Sequence, residues 1–98
     1  MAIRGFKNTG TADIASQRTT KAARRVLPGT LHSVALEKLV LLNAATQLRD
    51  LAAWPSLRLE KLHGDRAAQH SIRINKRWRI CFRFTGEDAY DVEIVDYH

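Results

Sequence analysis

Ninety-eight residues, 45% of them hydrophobic, suffice for one enclosed core and exclude a multidomain machine. No apolar run approaches the roughly 18 residues of a membrane span, and MAIRGFKNTG lacks the apolar stretch of a secretory leader, so a single cytoplasmic domain over residues 1–98 with no membrane partner is expected. The net charge of +6 is uneven: residues 54–83 carry eight Lys/Arg against two acids, whereas residues 84–98 carry five acids and neither Lys nor Arg. Basic charge gathered in one segment favours a polyanionic partner.

In chain order, Ile3 and Phe6 with Arg4 and Lys7 predict a short edge strand, and residues 9–16 leave room for a short helix from near Asp13. Helical composition from Thr19 to Val26 stops at Pro28-Gly29. Thr30 is a good N-cap. From it, Leu31, Ala35, Leu39, Leu42 and Ala45 recur at spacings of three and four, which predicts one amphipathic helix to about Leu51, closed by Trp54-Pro55. After Pro55 the period changes from 3.6 to 2. Leu57/Leu59, Ile72/Ile74 and Trp78/Ile80/Phe82/Phe84 alternate with charged or polar neighbours, and Asp91–Val95 alternates again. With turns at Gly64-Asp65, Asn75-Lys76 and Gly86, residues 57–98 should form a four-stranded antiparallel meander. Adding the first strand and laying the helices on the apolar face gives an α+β fold: a small twisted, mostly antiparallel sheet with helices packed on one face.

That alternation sends Arg58, Glu60, Arg73, Arg79 and Arg83 to the face away from the helices. A row of arginines there needs carboxylates, water or phosphate, and a salt-bridge lattice and a phosphate-binding face are both open on periodicity alone. Cys81, the only cysteine, lies inside Ile80-Cys81-Phe82 and reads as packing. Four histidines without ligand spacing argue against a metal site, and no cofactor is expected. The chain ends Asp96-Tyr97-His98, where a carboxylate, a phenol and an imidazole stand together; held in place, such groups can move protons near neutral pH.

Five segments together resemble a known family: Ile3-Arg4-Gly5-Phe6-Lys7, RLEKLHGDR (58–66), QHSIRIN (69–75), RWRICFRF (77–84) and DAYDVEIVDYH (88–98). The resemblance is to the HigB group of the RelE/ParE toxin superfamily, and it is strongest from Leu57 onward. It implies a RelE-like fold and a toxin that cuts messenger RNA in the 30S A site of the ribosome, without a metal. It also implies a HigA-like helix-turn-helix antitoxin, with operator DNA bound only through the antitoxin complex. Position by position, the WRI arginine falls on Arg79 and the terminal Asp-Tyr-His on Asp96, Tyr97 and His98. The family's histidine and lysine before the Gly-Asp turn are here Glu60 and His63, which leaves open which of Glu60, His63 and His98 is base or acid.

The chemistry needs a base for a 2′-hydroxyl, an acid for the leaving 5′-oxygen and cations on the phosphoryl oxygens. Arg79, with Arg73 in support, suits the last task, because a guanidinium grips phosphate bidentately and stays charged. Arg58, Lys61, Arg66, Arg73, Lys76, Arg77 and Arg83 are the expected RNA- and ribosome-binding residues. Two alternatives share the fold or the charge: a ParE-type toxin that binds gyrase, and a basic RNA- or ribosome-binding module without chemistry.

Overall fold

A computed structural model describes residues 2–96. Its sheet has the strand order β1-β5-β4-β3-β2, formed by β1 (Ala2–Ile3), β2 (Glu60–Lys61), β3 (Gln69–Arg73), β4 (Trp78–Thr85) and β5 (Asp88–Asp96). β2 to β5 pair antiparallel as the turn signals require, and β1 lies parallel to β5 at the edge. The β4–β5 register slips between Cys81 and Arg83, opposite Asp91, which adopts φ 53°. This bulge shifts the parity of β5: Ala89 faces the core before it, Val92 and Ile94 after it.

The helices are α1 (Thr9–Ala15), α2 (Lys21–Val26), α3 (His32–Ala44) and α4 (Leu48–Ala52). α1 begins earlier than Asp13 because the Asn8 side chain accepts from the Thr11 N–H at 2.8 Å and caps it there. The single helix expected from Thr30 to Leu51 is two. A 3-10 turn at Gly29–Leu31 precedes α3, and the chain turns extended at Ala45. The break is local chemistry: the Asp50 carboxylate accepts from the N–H of Thr46 (3.0 Å), the Thr46 hydroxyl (3.1 Å) and the N–H of Gln47 (3.1 Å), starting a new helix. Those bonds hold the Asp50 pKa below its ordinary value.

A second correction falls at Leu57–Glu60, expected as a strand. Pro55–Leu57 forms a 3-10 turn and Arg58 takes the left-handed conformation (φ 48°, ψ 50°), so β2 keeps only two residues. Pro55 enforces this by opening the turn with its fixed φ.

The core lies between helices and sheet, where Leu27, Ala35, Leu39, Leu42, Leu51 and Leu57 meet Ile72, Ile80, Phe82, Val92 and Ile94. Each large side chain buried there contributes about 1.5–3 kcal/mol. α1 also closes the sheet edge beyond β1: the buried Thr11 hydroxyl accepts from the N–H of Ile94 at 3.3 Å. On the helix side of β3, the His70 ring stacks on Phe82 with centroids 6.2 Å apart. Burial, then the nearby Lys61 charge, lowers the His70 pKa. His70 is thus a packing residue.

Candidate active site

On the face away from the helices, a solvent-open cleft of about 400 Å³ is lined by Arg58, Leu59, Glu60, Arg73, Asn75, Lys76 and Arg79. Each side chain arrives there for a local reason. Arg73 and Arg79 are direct cross-strand partners on β3 and β4, so both point from the same pleat. Glu60 stands opposite Ser71 on β2 and enters from the edge. Lys76 rides on the β3–β4 turn, which the Asn75 side chain pins by accepting from the N–H groups of Arg77 (2.9 Å) and Trp78 (2.8 Å). Arg58 follows the 3-10 turn after Pro55.

Arg79 is anchored on the protein. Its Nε donates to Ser71 Oγ at 2.7 Å, and its Nη2 donates to the Arg58 carbonyl at 2.5 Å and, more weakly, to the Ser71 carbonyl at 3.4 Å. Ser71 is fully buried although it belongs to the outward row Glu60–Ser71–Cys81–Glu93. Cys81, on the same row, is also fully buried, and burial raises its thiol pKa. It packs on the arginine side of the sheet.

The remaining basic residues divide. Arg66 pairs with Glu93 at 3.1 Å, and Arg83 pairs with Asp91 at 3.2 Å while lying over the Tyr90 ring. Arg77 grips Asp96 through two bonds of 2.9 and 2.7 Å and lies over Trp78. Among the described residues Arg58, Arg73 and Lys76 enter no ion pair. The salt-bridge lattice and the open cationic surface are therefore both present, in different places. Lys61 and His63 share a neighbouring cleft of about 300 Å³ with Glu60 and Leu62, so Glu60 borders both clefts and His63 only the second. Asp96 stands across from Trp78, at the end of β5. Tyr97 and His98, expected as catalytic groups, lie outside the described residues. Among those described, no cluster of three or more His, Cys, Asp or Glu side chains is placed to hold a metal ion.

Sequence reasoning passed over Ser71 and the Arg58 carbonyl. The first had a signal, since alternation puts a small hydroxyl residue on the charged face beside Arg79. The second had none, because a backbone oxygen turned by a left-handed residue leaves no trace in composition.

Arg58, Arg73, Lys76 and Arg79 thus share one cleft with Glu60, a concentration of positive charge that complements an anion. The profile of the HigB-like toxins, described as RelE-like toxins of the type II toxin-antitoxin system HigB, matches residues 16–98. The chain is 36% identical over 62 residues to the Endoribonuclease HigB of Proteus vulgaris, covering 63% of this chain and 66% of that protein. It is 35% identical over 60 residues to Toxin HigB-1 of Vibrio cholerae serotype O1, covering 61% and 63% respectively. The match thus spans slightly less than two thirds of the length of these relatives. With a profile that runs over most of its residues and an α+β sheet-and-helix fold of the kind it implies, the chain belongs to the HigB-like toxin family.

Proposed function

We propose that the chain is a ribosome-dependent endoribonuclease that cleaves messenger RNA in the 30S A site without a metal. The observation that carries this reading is the cationic cleft, where Arg58, Arg73, Lys76 and Arg79 surround Glu60. The name of the Proteus vulgaris relative, an endoribonuclease, supports it.

The 2′-hydroxyl of the nucleotide in the cleft attacks its own 3′-phosphorus. A base takes the hydroxyl proton, an acid protonates the departing 5′-oxygen, and the products are a 2′,3′-cyclic phosphate and a 5′-hydroxyl. Arg79 holds the phosphoryl oxygens as their charge grows, with Arg73 beside it. Arg58 and Lys76 hold flanking phosphates, and Lys61 extends the track toward His63. Arg66, Arg77 and Arg83 meet RNA with their charge already partly offset by Glu93, Asp96 and Asp91. His98 is the acid or the base, and Glu60 or His63 is its counterpart; Asp96 positions His98, and Tyr97 stacks on a base. The partners in this reading are a HigA-like helix-turn-helix antitoxin, through which operator DNA is bound, and translating ribosomes in the cytoplasm.

The test uses purified toxin on translating ribosomes, with the same message naked, and reads the chemistry of the RNA ends. Ribosome-bound RNA should acquire 2′,3′-cyclic phosphate and 5′-hydroxyl ends, while naked RNA is cut far more slowly. Equal cleavage of naked RNA refutes ribosome dependence, and 3′-hydroxyl and 5′-phosphate ends, the products of attack by water instead of the 2′-hydroxyl, refute the metal-free mechanism. Growth arrest without any new RNA ends refutes the nuclease and leaves a toxin that acts by binding.

A further inference from the structure

We infer that Ser71 is a positioning residue for Arg79, and that its hydroxyl and the Arg58 carbonyl together set the orientation of that guanidinium in the cleft. The inference rests on the nuclease reading above and adds to it the means by which its central cation is held.

The geometry is specific. A guanidinium presents two edges for paired hydrogen bonding, one through Nε and Nη2, the other through Nη1 and Nη2. Arg79 spends the first on the protein, with Nε on Ser71 Oγ at 2.7 Å and Nη2 on the Arg58 carbonyl at 2.5 Å. Anchoring one edge of a planar fork fixes where the other points. Two unusual features sustain the anchor. Ser71 is fully buried on the outward face, where its neighbours in the alternation of β3, Gln69 and Arg73, are part-exposed polar side chains. An apolar residue there would leave the Nε–H without its acceptor, and a large one would take the space the guanidinium occupies. Arg58 adopts a left-handed backbone that residues bearing a Cβ avoid, and its carbonyl is one of the oxygens that Arg79 reaches.

The functional consequence follows from entropy and repulsion. A free arginine must be ordered when it meets the transition state, whereas this one is ordered beforehand. It also stands directly across from Arg73, a like charge that would drive an untethered side chain out of the cleft.

The test is a cycle of variants in single-turnover cleavage of ribosome-bound message. Ser71→Ala removes one oxygen from a buried strand position and should lower the cleavage rate roughly 10- to 100-fold, the scale of one hydrogen bond to a charged group. Ribosome affinity should change less than about twofold, because the other cations remain. Ser71→Thr, which keeps the hydroxyl, should recover most of the rate. In an Arg79→Ala background, Ser71→Ala should cost less than about twofold more, since a residue that acts through Arg79 has nothing left to position. A full-rate Ser71→Ala, or an equal further loss in the Arg79→Ala background, overturns the inference. A second arm needs no activity: the Arg79 Nε–H should exchange slowly with water in nitrogen-15 NMR spectra of the wild type and rapidly in Ser71→Ala. Unchanged protection in that variant overturns the inference even if the wild type proves not to cut RNA, an outcome that sinks the nuclease reading alone.

Discussion

Arginines of similar sequence context do different work in this protein. Arg77 and Arg79 are two residues apart in Arg77-Trp78-Arg79, yet Arg77 is clasped by Asp96 while Arg79 lines the cleft on the Ser71 and Arg58 anchors. Arg79→Ala should therefore lose about 2–4 kcal/mol of transition-state stabilisation, comparable to removing one preorganised donor. Arg83→Ala, which removes a surface ion pair with Asp91, should change the rate less than about threefold. Single-turnover rates and thermal melting of both variants check the contrast; near-native cleavage by a folded Arg79→Ala variant removes Arg79 from catalysis. Strand alternation was enough to send Arg73, Arg79 and Arg83 to one face, whereas Arg58 reaches the cleft from a left-handed turn that alternation does not describe. It could not tell paired from open, because the acceptors Asp91, Glu93 and Asp96 come from β5, a strand distant in sequence from Arg66 and with a shifted register. The substitutions at Glu60 and His63 were visible as departures from a motif, but their separation was not: Glu60 enters the arginine cleft, and His63 faces the one beside it.

At the level of elements, periodicity located β3, β4 and β5 and, with the turn signals, the order in which the meander pairs, but it began the first strand at Leu57, where only Glu60–Lys61 is extended. It failed where a side chain competes with the regular backbone. Thr46 and Asp50 lie within the helix that the apolar spacing of Leu31 to Ala45 extends to Leu51, yet their mutual hydrogen bonds split it into α3 and α4. Asp91 reads as one more polar position in an alternating run, but its left-handed backbone inserts a residue and resets which side of β5 is apolar. The α1–α2 contact was equally hidden, because it depends on what a residue lacks. Gly10 is buried, and a Cβ there would overlap the Val26 methyl Cγ2 and the Ala22 carbonyl oxygen. Gly10→Ala should therefore destabilise the fold by about 1–3 kcal/mol despite the better helix propensity of alanine. Denaturant melts decide this, and an alanine variant as stable as wild type would mean that α1 and α2 can separate at little cost.

Across the whole molecule, the +6 charge predicts that RNA affinity weakens steeply with salt, because each phosphate neutralised releases counterions. The separation of paired from open cations sharpens that statement. Replacing Arg58, Arg73 and Lys76 with glutamine should reduce the slope of log affinity against log salt by about two for single-stranded RNA, whereas replacing Arg66, Arg77 and Arg83 should reduce it by less than about one. Equal reductions would mean that RNA ignores the cleft.

The two ends of the sheet carry a different implication. β2 offers a ladder of only two residues at one edge. At the other, past the short β1, the backbone of β5 is already engaged: the Val92 N–H donates to Gly5, the Val92 carbonyl accepts from Lys7, and the Ile94 N–H donates to the Thr11 hydroxyl. Among the described residues there is no longer rail along which an incoming chain could zip. Copies of this protein crowded together find little purchase for growing a shared sheet into fibres.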